Sequence, residues 1–248
     1  MRLTIRPHNR LDVMRSITEN MLFWYDFADS STVTLNGTQI SAIKDKGPGG
    51  YTMTQATQSA QPYYDTMVNG LKAGRGVKAL KTRINASGLD VLIPMADVSF
   101  FLVYKSSDAW QRWGGPFTST TFGAPYDFNV SINDKYKIEM GAHSTDTGIL
   151  DPVAHNTDLS LAEVHVSQDA FWTKTFFNGV QADYVSPGFH TLGTGPNFHF
   201  PRLFTNRWGN QSFTGIICEV MCYYGVGAYV GNARRQAIAN HLMAKWGI

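Results

Sequence analysis

The chain has 248 residues, a formal net charge of +2 and only 16% charged residues. So small a net charge supplies no field that would recruit nucleic acid or an anionic membrane, and we expect neither as a partner. No stretch approaches the roughly 18 consecutive apolar residues of a membrane-spanning helix. Glycine is plentiful at 23 residues and aspartate outnumbers glutamate, which favours short strands joined by turns over bundled helices.

Residues 1–20 are predicted to form an extended N-terminal arm, ahead of one domain at residues 21–248. The arm carries arginine but no lysine, at Arg2, Arg6, Arg10 and Arg15. Because a guanidinium can bind a carboxylate through two donors, we interpret these residues as a surface that docks on an acidic partner protein. A solvated arm, or an edge strand folded back on its own domain, explains the same residues.

Alternation of apolar and polar residues predicts strands through the middle of the chain. The predicted strands cover residues 97–105, 126–132, 135–140, 159–167, 171–177 and 197–204. Asn133–Asp134 is predicted to be a hairpin turn, and Asn178–Gly179 another. The first of these strands is apolar enough to be central in a sheet, so the middle of the chain predicts an all-β domain.

Two groups of residues between the predicted strands are candidate binding sites. Aromatic and polar side chains that could form a platform for a glycan stand at Trp110, Arg112, Trp113 and Trp208, although tryptophan in a β-sandwich often belongs to the core. Residues 143–158 hold two His and three Asp, and their oxygen atoms would suit Ca²⁺. Their spacing matches no EF-hand or zinc pattern, so we prefer a long polar loop and expect no cofactor and no metal site.

A buried strand followed by an amphipathic helix closes the chain. Ile238, Leu242 and Trp246 recur at helical spacing and predict one apolar stripe. Asn232 is the expected N-cap and Gly247 the expected residue just past the helix. The residues predicted to face water are Arg234, Arg235, Asn240 and Lys245.

The two cysteines, Cys218 and Cys222, belong to the closing strand. At four strand steps they would sit on one face about 13 Å apart, beyond the reach of a disulfide. We therefore expect two buried free thiols.

Catalytic patterns are missing from the sequence. The four glutamates, Glu19, Glu139, Glu163 and Glu219, are too scattered for the strand motif that places two carboxylates on one face in jelly-roll glycosidases. No Gly-x-Ser-x-Gly elbow is present for a serine nucleophile. We therefore predict that the protein is not an enzyme.

Both ends of the domain resemble one known family. The strand at residues 213–220 followed by a helix that ends in Lys245-Trp246-Gly247, together with residues 22–29 and 45–50 in that order, is similar to concanavalin A-like (LamG-like) jelly-roll domains. Many such domains are found in bacteriophage and bacterial surface proteins. The resemblance implies an all-β, concanavalin A-like jelly-roll β-sandwich with a short C-terminal helix and an extended N-terminal arm. Glu219 stands where the family strand has its glutamate, and a carboxylate bonded to nearby backbone or tyrosine would explain it.

The resemblance also implies a function. We expect a non-enzymatic virion structural or accessory protein, a capsid decoration or tail-associated protein, whose partners are other virion proteins. A lectin-like module that binds host-surface carbohydrate is the alternative, and a glycan hydrolase is the third hypothesis. Since the N-terminus lacks the apolar core of a secretory signal, we expect synthesis in the host cytoplasm and a location in the virion, with homo-oligomerisation left open.

Overall fold

The structure is a computed structural model of the chain. It describes residues 18–77, 84–86, 90–91, 97–107, 117–119, 129–132, 137–139, 148–150, 158–167, 172–181, 198–199, 201–205, 212–224 and 232–248.

Short antiparallel strands make up most of these residues. They are β1 (Met21–Asp26), β2 (Val33–Asn36), β3 (Gln39–Lys44), β4 (Thr52–Thr54), β5 (Tyr63–Val68), β6 (Leu71–Gly76), β7 (Ile84–Ala86), β8 (Asp90–Val91), β9 (Asp97–Ser106), β10 (Phe117–Ser119), β11 (Asn129–Ile132), β12 (Lys137–Glu139), β13 (Gly148–Leu150), β14 (Ser160–Ser167), β15 (Trp172–Phe177), β16 (Val180–Gln181), β17 (Phe198–His199), β18 (Pro201–Leu203) and β19 (Gly215–Tyr224). One helix, α1 (Asn232–Trp246), follows β19.

The strand pairings form two runs that build a β-sandwich. One run passes from β16 through β15, β14 and β9 to β19, which then pairs with both β1 and β6, and β6 continues to β5. The other run contains β4, β7, β18, β10, β11, β12 and β13. Strand β3 pairs with both β4 and β5 and so links the two runs. The all-β sandwich expected from the sequence is confirmed.

The inner faces of both runs share one apolar core. On β9, Phe100, Leu102 and Tyr104 point inward, and they meet Ile40, Ile84 and Leu203 of the other strands. Because side chains alternate along a strand, the residues between them face the opposite side of the sheet. The backbone of Gly74 lies so close to this core that an added Cβ would stand 2.8 Å from the Phe27 ring.

Helix α1 packs on the outer face of the first run. Ile238, Leu242 and Trp246 are buried there, which confirms the predicted stripe, and they join Phe101, Val103 and Leu161 of the strands. The helix ends as predicted, since Gly247 has φ +70° and its N–H bonds to the Met243 carbonyl at 2.8 Å. Within the described residues, no helix is long and apolar enough to cross a membrane.

Strands are found in each of the predicted ranges. Residues 97–105 correspond to β9, which extends one residue further, and residues 159–167 to β14, which begins one residue later. The range 197–204 contains two strands, β17 and β18, which pair with different neighbours. The predicted turn at Asn178–Gly179 is confirmed, with φ of +48° and +79°. The residues of the other predicted turn, Asn133–Asp134, lie outside the described part of the chain, although the strands on either side of it pair antiparallel.

A β-bulge changes the expected placement of the two cysteines. The register of β19 against β9 shifts between Ile217 and Glu219, so Cys218 is the extra residue and joins the outer cluster, whereas Cys222 lies in the inner core. The two thiols therefore do not share one face, contrary to the prediction. Both are buried and unpaired, as predicted.

Replacing Trp246 by alanine tests whether α1 stabilises the sandwich. Removing this fully buried indole should lower the free energy of unfolding by about 3–5 kcal/mol. Asn240→Ala, on the exposed side of the same helix, is the control and should change the value by no more than about 0.5 kcal/mol. Chemical denaturation measures both, and equal stabilities of the two variants would contradict the packing.

The thiols offer a second test of burial. Burial raises the pKa of both Cys218 and Cys222, so neither is a ready nucleophile in the folded state. A thiol reagent should label the denatured protein rapidly and the native protein far more slowly. Native labelling at the rate of a free cysteine peptide would show that the closing strand is not packed as described.

Candidate functional site

The residues singled out from the sequence as binding sites lie outside the described part of the chain. This holds for the arm residues Arg2, Arg6, Arg10 and Arg15 and for the platform residues Trp110, Arg112, Trp113 and Trp208. Of the polar segment 143–158, only residues 148–150 and 158 are described. No group of described His, Cys, Asp or Glu residues could hold a metal ion. We therefore built the candidate site from the described residues.

A buried carboxylate joins the helix to the sheet at the C-terminal end of α1. Glu219 is 1% exposed, and its Oε1 accepts a hydrogen bond from Trp24 Nε1 at 2.6 Å. Its Oε2 accepts one from Trp246 Nε1 at 2.7 Å and another from Lys245 Nζ at 2.6 Å. Backbone or tyrosine partners were expected for Glu219. Its hydrogen-bond partners are instead two indoles and an ammonium group. Burial raises the pKa of Glu219, the nearby Asp26 charge adds to the rise, and Lys245 and Trp246 oppose it.

The same lysine brings two carboxylates close together. Lys245 Nζ also lies 2.7 Å from Asp26 Oδ1, so one ammonium group bonds to both Asp26 and Glu219. Two neighbouring carboxylates are also what a retaining glycosidase uses. Both carboxylates are nearly inaccessible, however, with side-chain exposures of 5% and 0%. Both Glu219 oxygens already accept hydrogen bonds, which leaves no room for a glycosidic oxygen. The pair is a structural link between helix and sheet.

The network reaches solvent at the loop that follows β3. Lys46 Nζ pairs with Asp26 Oδ2 at 2.8 Å and with Asp29 Oδ2 at 3.0 Å, and it lies 4.6 Å from the centre of the Trp24 ring. Hydrogen bonds from Ser31 and Lys46 lower the pKa of Asp29 to about 2. These exposed groups hold the loop, and each of them already has a charged partner.

A second buried ion pair joins the N-terminal half of α1 to β14. Arg235 Nη1 donates to both oxygens of Glu163, at 3.1 and 2.9 Å, and its guanidinium stacks 3.8 Å from the centre of the Phe176 ring. Arg235 was expected to face water, but it is 5% exposed. Helical periodicity shows which positions of a helix are apolar. It does not show that a carboxylate of the sheet, here Glu163, lies beneath a polar position.

A serine, a histidine and a glutamate form a hydrogen-bonded series beside this pair. His165 Nδ1 lies 2.9 Å from Ser99 Oγ, and its Nε2 lies 3.4 Å from Glu163 Oε2. The neutral tautomer that protonates Nε2 satisfies both contacts, because it donates to the carboxylate and accepts from the hydroxyl. All three residues are 0% exposed, so no substrate can reach Ser99. The serine therefore cannot act as a nucleophile in this conformation.

The outer face that α1 does not cover carries a partly exposed row of side chains. Strand register places Gln39, Tyr63, Arg75, Ile216 and Lys105 opposite one another on five neighbouring strands. Directly opposed residues of antiparallel strands point to the same face, so the row is one continuous surface. We call these five residues the outer row. Four of the five are polar or aromatic, and each has some access to solvent.

The outer row contains a preorganised aromatic and charged unit. Arg75 Nε donates to Asp65 Oδ1 at 3.0 Å and Nη2 to Oδ2 at 2.5 Å, while the guanidinium carbon lies 4.6 Å from the centre of the Tyr63 ring. The side chains of Arg75 and Asp65 are 35% and 41% exposed. The hydrogen bond from Arg75 lowers the pKa of Asp65, and Asp65 raises that of Arg75. This unit is the candidate functional site.

This unit was not predicted from the sequence. Tyr63 and Asp65 share one face of β5 because alternate residues of a strand point the same way. A bulge in β5 then places Tyr63 opposite Arg75 of β6, where regular pairing would place it opposite Gly76. The available signal was the Asn69–Gly70 pair between two short runs, which is typical of a hairpin turn, and both residues have positive φ. The hairpin could have been predicted, but its bulge could not.

No family model and no curated protein sequence matches the chain. Several solved structures share its fold. Domain 4 of AbnA, a GH43 extracellular arabinanase from Geobacillus stearothermophilus in complex with arabinotriose, is 17% identical with a TM-score of 0.60, over 83% of this chain and 92% of that one. A GH54 α-L-arabinofuranosidase is 12% identical with a TM-score of 0.60, over 93% and 60% of the two chains. Trypanosoma rangeli sialidase is 6% identical with a TM-score of 0.55, over 88% and 32%.

These similarities establish the fold and correct one expectation. At such low identity they show a jelly-roll-like β-sandwich and nothing finer. The three proteins named are an arabinanase, an arabinofuranosidase and a sialidase, all of them carbohydrate-active, and none of the three is described as a virion protein. The expected role as a bacteriophage structural protein is therefore wrong. That expectation rested on the order of the motifs at the two ends of the domain. The β-sandwich fold accounts for this order without a role in a virion.

Buried His165 makes a prediction about the pH dependence of stability. Burial lowers the pKa of His165 and Glu163 opposes this, so below about pH 6.5 the unfolded chain takes up a proton that the native state does not. The unfolding free energy of the wild type should therefore fall, relative to that of His165→Gln, as the pH is lowered from about 7.5 to about 5.5. Subtracting the unfolding free energy of the variant from that of the wild type at each pH cancels the contribution of the other titrating groups. A difference that stays constant or rises on acidification would contradict a buried neutral imidazole.

Proposed function

We propose that this chain is a non-catalytic carbohydrate-binding module. The observation that carries the proposal is the unit of Tyr63, Arg75 and Asp65 on the open part of the outer face. Sugars are bound by aromatic rings that face their C–H groups and by fixed polar groups that bond to their hydroxyls. The outer row offers both on rigid strands, where their positions need little ordering on binding.

The comparisons support this proposal at the level of the fold. The arabinanase domain matches nearly along its whole length and was solved with arabinotriose bound. A fold by itself does not determine a function, so the argument depends on the residues of the outer row. The chain spans less than two thirds of the arabinofuranosidase and of the sialidase, and the activities of those proteins are not carried over.

Binding without hydrolysis is favoured by the state of the carboxylates. Asp26 and Glu219 lie near each other, but both are buried and bonded to Lys245. Asp65, which is exposed, is engaged by both Arg75 and Thr66. A hydrolase needs one carboxylic acid and one free carboxylate at the scissile bond. Hydrolysis would require carboxylates other than these.

The tryptophans identified in the sequence remain a separate candidate. Lys105 lies near the end of β9, and the segment with Trp110, Arg112 and Trp113 follows it closely in the sequence. We propose that these residues, together with Trp208, also contribute to glycan binding. Their contribution can be measured separately from that of the outer row.

A binding assay tests the proposal. The purified protein should migrate more slowly in native gels that contain one or more of a panel of soluble plant, bacterial and host polysaccharides, and it should release no reducing sugar from any of them. Tyr63→Ala should raise the dissociation constant about tenfold. Met67→Ala is the matched control, because Met67 is exposed on the opposite face of the same strand.

Three results would contradict the proposal or the location of its site. Failure to bind any polysaccharide of the panel would refute carbohydrate binding. Release of reducing sugar that survives purification to homogeneity would refute the non-catalytic part. Equal losses in Tyr63→Ala and Met67→Ala would move the site away from the outer row.

A further inference from the structure

We infer that the Tyr63, Arg75 and Asp65 unit selects neutral glycans over acidic ones that carry a sialic or uronic carboxylate. This inference rests on the proposed function and specifies its ligand class. It is drawn from the charge balance of the unit and from the hydrogen-bonding atoms that remain available on it.

The positive charge of the unit is already neutralised. Arg75 presents two donors to Asp65 in the bidentate geometry that a ligand carboxylate would need, with N–O distances of 3.0 and 2.5 Å. A ligand carboxylate would have to displace Asp65 or share its position with a like charge. Either arrangement loses the advantage that a free arginine would offer. The unit therefore provides no net attraction for an acidic sugar.

The atoms that remain available suit hydroxyl groups. Among the described residues, neither Arg75 Nη1 nor the Tyr63 hydroxyl has a hydrogen-bond partner. Beside them, Gln39 donates its amide N–H to the Gln61 carbonyl at 3.3 Å, which leaves the side-chain oxygen as an acceptor. Donors and an acceptor side by side match a sugar hydroxyl, which both donates and accepts. The exposed part of the Tyr63 ring can contact the C–H groups of the sugar.

Lys105 is the one group in the outer row that would favour an acidic ligand. It lies two strands from Arg75, or about 10 Å at the spacing of neighbouring strands. An exposed charge at that distance is largely screened at physiological ionic strength, where the Debye length is about 8 Å. Ile216, which separates the two, is apolar and offers no second contact. The ammonium group of Lys105 therefore adds little attraction for an acidic ligand at the unit.

The shape of the outer row favours a stretch of chain over a single terminal sugar. Five residues on neighbouring strands span four inter-strand steps, about 19 Å, which is the length of several sugar units. The row runs across five strands of one sheet face. An extended neutral oligosaccharide fits this arrangement.

Binding of matched ligands by four proteins tests the inference. Isothermal titration would compare neutral oligosaccharides, arabinotriose among them, with trigalacturonate and sialyllactose. The proteins are the wild type, Arg75→Ala, Asp65→Asn and the Met67→Ala control, each checked for folding by circular dichroism. The wild type should bind a neutral ligand with an affinity that changes by less than about twofold between ~50 and ~500 mM salt. Arg75→Ala should lose about tenfold or more.

Asp65→Asn provides the sharpest result. It keeps the shape of the side chain but removes the charge that neutralises Arg75, so the variant should gain salt-sensitive affinity for trigalacturonate or sialyllactose of about tenfold over the wild type. Met67→Ala should behave as the wild type with every ligand. A gain in Asp65→Asn that a second change, Arg75→Ala, abolishes would assign it to the freed guanidinium.

The outcomes separate this inference from the function on which it rests. If no ligand binds the wild type here or in the polysaccharide panel, the proposed function and the inference both fail. If acidic ligands bind the wild type more tightly than neutral ones, the inference is overturned and carbohydrate binding stands. If neutral ligands bind and Arg75→Ala leaves their affinity unchanged, the site is wrong although the function stands.

Discussion

One buried carboxylate constrains the position of helix α1 on the β-sandwich. Glu219 cannot remain charged in the core without partners, and its three donors come from β1 and from the last turn of α1. Removing the Lys245 ammonium group would leave this charge only partly compensated, and breaking a buried ion pair costs about 3–5 kcal/mol. The hydrogen bonds of Glu219 therefore fix the helix at one position on the sheet. The apolar stripe alone would allow the helix to shift along the sheet. The Arg235–Glu163 pair fixes the other half of the helix in the same way.

This placement determines which part of the outer face is available for binding. The helix extends from Glu163 on β14 to Glu219 on β19 and to the β5–β6 turn, where Asn69 donates to the Trp246 carbonyl at 2.5 Å. Beyond it the sheet continues through the outer row, whose strands are paired with one another. An open sheet face with polar side chains on rigid strands is a good support for a binding site. The buried charges thus act on function only through geometry.

The sequence predicted the fold more fully than the site. Alternation located β9 and β14, and helical spacing located the stripe of Ile238, Leu242 and Trp246, because burial imposes a period on apolar residues. Bulges break this period. The bulge at Cys218 separated two cysteines expected on one face, and the bulge in β5 assembled the candidate site. Polar partners such as Arg235 and Glu163 carry no period at all, so their meeting could not be predicted.

Two arginine–carboxylate pairs in this protein differ in environment. The Arg235–Glu163 pair is buried between the helix and the sheet, and Nη1 alone donates to both carboxylate oxygens. The Arg75–Asp65 pair is partly exposed and uses two nitrogens, and among the described residues its third nitrogen, Nη1, has no hydrogen-bond partner. An exposed pair of this kind contributes little to stability, typically 0–1 kcal/mol. Its ordered geometry on the strand pair, beside an aromatic ring, therefore agrees with the proposed role as a preformed contact for a ligand.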